Sequence, residues 1–248
     1  MAPQDDEKRK GLNDLRNSFL FLAIGAALSL VPVVTILGSL LSFIGLIFLI
    51  MGWRALGRSS LPAAPRYKST GNWIIYSIII AVVIAMIGFI AIVIVLISSL
   101  ASSGFPTGPG SSSSLFQSPA IQDYIADLYA VILVAEIPMF YAWYRVSSSL
   151  RALGAELGQP KLRTAGRLFL VYIALWCASL VASFAAFKAG VISFSPTVAQ
   201  GLGALGDQYT EFVGTYAVVI ILGTIVGAAL MILGSYLAYG GIKGTSIQ

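Results

Sequence analysis

Histidine is absent from the 248 residues, and there is one cysteine, Cys177. The first absence removes the commonest transition-metal ligand and every Ser-His or Cys-His catalytic pair. The second removes any disulfide framework. Charge is also scarce. Only 10% of residues are Asp, Glu, Lys or Arg, against roughly 25% in soluble domains. The sequence has no Cys-x-x-Cys, no phosphate-cradling Gly-x-x-x-x-Gly-Lys-Ser/Thr, and no Gly-x-Gly-x-x-Gly placed after a strand. What fills the space is apolar: 58% of the chain is hydrophobic, which excludes a disordered chain and an ordinary cytosolic fold alike.

The apolar residues gather into runs at 18–34, 36–53, 73–100, 128–144, 168–187 and 212–240, and only the fourth holds a charge, Glu136. A helix needs about 20 such residues to cross the hydrocarbon. None of the runs alternates as a membrane barrel strand does. The expectation is an all-α polytopic membrane protein with six transmembrane helices. A charged tail (1–17) precedes a helical hairpin of spans one and two (18–53). A basic loop (54–72), span three (73–100) and a Ser/Gly-rich outer loop (101–118) follow. Span four (119–144), an amphipathic segment (145–164) and span five (165–187) come next, then an outer loop (188–211) and span six (212–240).

Orientation follows from the basic residues. Lys8, Arg9, Lys10 and Arg16 lie in the tail; Arg54, Arg58, Arg66 and Lys68 follow span two. Arg145, Arg151, Lys161, Arg163 and Arg167 follow span four, and Lys243 ends the chain. That places fourteen on one side and only Lys188 on the other. Both termini are therefore expected in the cytoplasm of a plasma-membrane protein. The net charge of +5 becomes a basic rim suited to anionic lipid rather than to nucleic acid. Asp123, Asp127, Asp207 and Glu211 fall near the outer surface. Trp53, Tyr67, Trp73, Tyr144 and Tyr239 form the inner aromatic belt.

The first two spans are short, about 27 Å each at 1.5 Å per residue. They either just cross or stop short of the outer surface. Ser118-Pro119 reads as an N-cap and first helical position for span four. In 145–164, Val146, Leu150, Leu153 and Leu157 recur at helical spacing until Gly158-Gln159-Pro160. This pattern reads as an amphipathic helix on the inner surface or as a continuation of span four. Arg54-Ala-Leu-Gly57 echoes Arg151-Ala-Leu-Gly154. Thr70, Gly71 and Tyr76 likewise echo Thr164, Gly166 and Tyr172. The echo predicts a hairpin duplicated in parallel, not an inverted repeat.

Small residues mark packing faces: Ala174, Ala178, Ala182 and Ala186 in span five, Gly223 and Gly227 in span six, and Gly38, Gly45 and Gly52 in span two. Such stripes let helix backbones approach, within one bundle or between copies. Glu136, in Val-Ala-Glu-Ile-Pro, is the one acid deep in a span. Pro138 removes the amide that would bond the Val134 carbonyl and predicts a kink beside it. An acid there is either an ion or proton site or a neutral carboxyl bonded to Tyr172, Thr224 or Tyr236. Cys177 reads as an apolar filler rather than a nucleophile. No catalytic, cofactor or metal-binding set is expected.

Residues 18–57 and 140–175 carry a Pro hairpin with Gly45-Leu-Ile, the Arg145…Leu150…Leu153 run, and Thr164-Ala165-Gly166. In these features the chain resembles an archaeal membrane-protein family known as domain of unknown function number nine hundred and ninety-six. The resemblance implies an archaeal multi-pass membrane protein and brings no catalytic residues with it. The functional expectation is a non-enzymatic scaffold or accessory subunit acting by helix packing, in a homo-oligomer or a larger membrane complex. The rival is a small proton- or cation-coupled transporter or channel that uses Glu136.

Overall fold

A computed structural model describes residues 3–31, 34–103, 119–188 and 218–245. The described residues form six helices: α1 (Pro3–Ser29), α2 (Thr35–Leu56), α3 (Ala64–Ser103), α4 (Pro119–Glu156), α5 (Pro160–Lys188) and α6 (Val218–Lys243). Five are long and apolar enough to cross a membrane, through Thr35–Leu56, Ala64–Val95, Ala130–Glu156, Pro160–Ala182 and Ile225–Lys243. They fit a multi-pass helical membrane protein.

α1 is not among the five. Its apolar part, Ser18–Ser29, is about 18 Å long at 1.5 Å per residue. The rest of α1 is the segment expected as a charged tail, and it is helical from Pro3 onward. The reason is a buried stripe at helical spacing, Gly11, Leu15, Ser18 and Leu22, with Asp5, Asp6, Arg9 and Lys10 left exposed. Charge density alone hides that stripe from a count of apolar residues.

Prolines open α4 and α5 and occupy the first turn of α3, where the missing amide costs no intrahelical bond. α4 does not stop at the end of its span. Residues 145–156 continue it, and Val146, Leu150 and Leu153 enter the core instead of lying along a surface. α4 then closes with Gly158 at φ 64°. Gln159 N–H donates to Gly154 O at 2.9 Å, and Gly158 N–H donates to Ala155 O at 3.4 Å. This pair of bonds is a Schellman motif.

The chain divides into two units. The first comprises Met1–Ile79, Pro138–Trp176 and Gly223–Gln248; the second comprises Ile80–Ile137 and Cys177–Leu222. The first unit holds the main hydrophobic core, including Leu15, Phe19, Trp53, Tyr67, Leu162 and Phe169, all fully buried. Its aromatic rings are in mutual contact: Trp53 with Tyr67 at 5.5 Å, Phe19 with Phe169 at 6.0 Å, and Trp143 with Phe169 at 5.7 Å. In the second unit α3 and α4 approach closely. A Cβ placed on Gly88 would overlap the Val131 side chain. Most of the large side chains of α3 there, including Val82, Met86, Phe89 and Ile94, are exposed.

Candidate functional site

Three helices, α2, α4 and α6, share a common plan of small residues. Gly38, Gly45 and Gly52 recur every seventh residue on α2, as do Gly227, Gly234 and Gly241 on α6. Ala135, Ala142 and Ser149 keep the same spacing on α4, and all nine are buried. A basic residue stands two positions after the last small one in each helix: Arg54, Arg151 and Lys243. The predicted duplication has a structural counterpart. A Cβ on Gly71 would meet Arg54 Cγ at 2.7 Å, and one on Gly166 would meet Arg151 Cγ at 2.7 Å. The glycine opening each following helix thus lies under the arginine that ends the one before. Sequence comparison finds two copies of this pattern. The heptad of small residues extends it to α6, where Lys243-Gly-Thr-Ser replaces Arg-Ala-Leu-Gly and masks the likeness.

The small residues on α2 serve the seam with α1. A Cβ on Gly38 would meet Gly25 O and Ser29 N, both at 2.7 Å; one on Gly52 would meet Leu15 N at 2.9 Å. These are backbone atoms that cannot swing aside. The α6 seam opens progressively. A Cβ on Gly241 would lie 2.9 Å from Leu162 Cγ, one on Gly234 3.5 Å from the Phe169 ring, and one on Gly227 3.7 Å from the Tyr172 ring. Of the face expected on span five, Ala174, Ala178 and Ala182 are exposed. The side chains of Ala186 and Gly223 lie outside the described residues.

Glu136 is half-buried on α4, and its Oε2 is buried without a hydrogen-bond partner among the described residues. Of the hydroxyls expected to reach it, Tyr236 is largely exposed. Tyr172 packs its ring against Trp176, and the Thr224 side chain is outside the described residues. α4 runs unbroken through Pro138. Asp127 is exposed. The side chains of Asp123 and Lys188, and residues Ser118, Asp207 and Glu211, lie outside the described residues. Cys177 is exposed rather than packed as a filler. Among the described residues no group of three His, Cys, Asp or Glu side chains is placed to hold a metal ion.

The densest polar assembly is one the sequence reading did not single out. It is the α3–α4 seam near the basic ends of these helices. Glu156 accepts from Ala63 N–H and from Tyr67 Oη–H, both at 2.7 Å. Thr70 and Ser149 share a buried hydroxyl–hydroxyl bond of 2.8 Å. Arg145 Nη2 donates to Ser69 Oγ at 2.8 Å, and Arg66 Nη2 donates to Ser148 Oγ. Ser147 Oγ donates to Gly166 O at 2.6 Å, tying α4 to α5. The legible signal was the polar run Arg145–Ser149 set against Arg66, Ser69 and Thr70 at spacings of three and four. A long hydrophobic count treats such residues as span ends.

No family model matches the chain, no curated protein matches its sequence, and no solved structure matches its fold.

Proposed function

We propose that this chain is a non-enzymatic membrane scaffold or accessory subunit that acts by helix packing, as a homo-oligomer or within a larger membrane complex. It sits in the plasma membrane with six membrane-embedded helices, the α1–α2 hairpin supplying two of them. Both termini face the cytoplasm, as the basic residues at the ends of α2, α4 and α6 favour. Membership of the archaeal family that residues 18–57 and 140–175 resemble belongs to the same proposal.

One observation carries this reading. The polar groups of the α3–α4 and α4–α5 seams are bonded to one another across helices, as Thr70–Ser149, Glu156–Tyr67 and Ser147–Gly166 show. Polarity here joins helices instead of lining a path. The exposed Ala174, Ala178 and Ala182 offer α5 a smooth face for a neighbour. The test is the intact-particle mass of protein withdrawn from native membranes in mild detergent. A particle larger than the 26.2 kDa chain is expected; a lone monomer at every concentration overturns the proposal.

The unpartnered Oε2 of Glu136 favours a second reading, a proton- or cation-coupled transporter. Glu136→Gln then abolishes cation- or proton-dependent flux in vesicles. Wild-type flux in that variant removes this reading.

A further inference from the structure

The pair Arg66 and Arg145 is the part of the α3–α4 seam that packing does not explain. The two guanidiniums come from adjacent helices, and each reaches across to a serine on the other: Arg145 to Ser69 at 2.8 Å and Arg66 to Ser148. Neither forms an ion pair among the described residues. Two of the carboxylates of this end are committed to other partners. Glu156 is held by Ala63 and Tyr67, Glu7 pairs with Arg58 at 3.1 Å, and Asp5, Asp6 and Asp14 belong to α1. A guanidinium has five N–H donors, and one hydroxyl contact each leaves most of both forks unused. Two guanidiniums anchored on the same seam, each with donors to spare, are a ready pair of ligands for an anion.

The surroundings say which anion. Continuing into the apolar lengths of both helices, Trp73 packs edge-on against Tyr141 at 4.8 Å and against Tyr76 at 6.1 Å, and Tyr144 flanks Tyr141 at 6.4 Å. Tyr76, Tyr141 and Tyr144 are exposed. Trp73 lies about 10 Å from Arg66 along the helix axis. Aromatic rings at that remove from a basic pair match the order of a membrane interface: charge at the phosphate level, amphipathic rings below it, then hydrocarbon. A soluble phosphate has no use for the rings; a phospholipid uses both layers.

We infer that Arg66 and Arg145, with Ser69 and Ser148 and the Trp73/Tyr76/Tyr141/Tyr144 ring cluster, form a binding site for the phosphate headgroup of an anionic phospholipid. The forked donors take the phosphate oxygens, the serine hydroxyls hold the forks in place, and the rings border the upper acyl chain. The site is peculiar to the α3–α4 hairpin. At the heptad positions corresponding to Arg145 and Ser148, α2 has Phe48 and Met51.

The test uses the full chain in mild detergent, with native mass spectrometry counting lipids retained on titration with phosphatidylglycerol, phosphatidylcholine or inorganic phosphate. The expected result is one phosphatidylglycerol retained in preference to phosphatidylcholine, and not displaced by millimolar phosphate. Each basic residue near an anionic surface contributes about fivefold, so R66Q/R145Q lowers that affinity about thirtyfold. R145K, which keeps the charge and loses the fork, lowers it less but measurably, and serves if the double variant does not fold. K161Q/R163Q removes two charges of the same rim at another place and leaves the retained lipid unchanged. Equal losses in the two double variants would overturn the site in favour of diffuse rim attraction. Equal retention of phosphatidylcholine, or ready displacement by inorganic phosphate, would overturn the lipid assignment.

Discussion

The α1–α2 and α3–α4 hairpins meet the same requirement by different chemistry. Both carry a heptad of small, buried residues on the second helix. In α1–α2 the small residues are glycines, and the backbones come so near that an added Cβ at Gly38 would lie 2.7 Å from Gly25 O. In α3–α4 the same positions are Ala135, Ala142 and Ser149, and the α3 residue bonded to Ser149 is Thr70. The first seam is held by dispersion over close-packed backbone. The second is held by directed hydrogen bonds. Close packing leaves no room for a ligand. A hydrogen-bonded seam carries polar groups out to the lipid-facing surface, where Arg66 and Arg145 emerge. The comparison therefore separates a purely structural hairpin from one with chemistry to offer.

The contrast breaks most sharply at the glycines. Gly38→Ala drives a Cβ into carbonyl and amide atoms of α1 that cannot rotate away. Overpacking of this kind costs about 1–3 kcal/mol, and the rigid backbone on the other side puts this site at the upper end. Gly234→Ala is its control, since a Cβ there would sit 3.5 Å from the Phe169 ring, an ordinary contact. Denaturant-induced unfolding in micelles should show a large loss for Gly38→Ala and little change or a gain for Gly234→Ala.

Next comes the polar seam. Glu156→Ala leaves Ala63 N–H and Tyr67 Oη–H without their acceptor and is expected to cost about 1–3 kcal/mol. Tyr67→Phe removes one donor and costs less, about 1 kcal/mol. Thr70→Ala and Ser149→Ala each cost about 1 kcal/mol, and a double-mutant cycle between them should show coupling. Ser77→Ala supplies the contrast within the same helix. Ser77 Oγ is buried with no partner among the described residues, so its loss is neutral or stabilising. A zero coupling between Thr70 and Ser149 would mean that this seam, too, is held by packing alone.

Much of this plan was legible in the sequence, and the limits have physical causes. Apolar run length locates α2, α3, α5 and α6 because a span must bury its backbone bonds in one helix. It misplaces the start of α1, where charges crowd one face while Gly11, Leu15 and Ser18 hold the other. It truncates α4 at Tyr144, because Arg145 and three serines look like a span end when only hydropathy is counted. In fact Val146, Leu150 and Leu153 carry the helix into the core. The Arg-Ala-Leu-Gly echo is visible because both copies keep their letters. The third hairpin keeps only the small-residue heptad and one lysine, so it is read from burial alone. For the candidate site, Glu136 announces itself as a lone acid in an apolar run. Arg66 and Arg145 do not, since each is one basic residue among many until the fold bonds each to a serine of the other helix across one seam.

The smallest effect sharpens the comparison at the other end of the first hairpin. Asp14 lies on α1 outside the apolar lengths, and its Oδ2 is buried without a partner among the described residues. Burial raises its carboxyl above the ordinary 3.8, Glu7 adds to the rise, and Lys10 opposes it. A carboxyl whose pKa is higher folded than unfolded binds its proton more tightly in the folded state. Stability therefore increases as pH falls through the raised folded value, and the gain is complete below 3.8. Above the folded value the charged form bears the full burial penalty. This slope is opposite to that of a paired carboxylate, and solvent screening keeps it shallow because the group is only partly buried. Asp14→Asn should flatten the pH dependence of the unfolding midpoint over that window and raise stability slightly at neutral pH. An unchanged slope in the variant would mean that α1 frays at this point and that the close-packed seam begins only at Leu15.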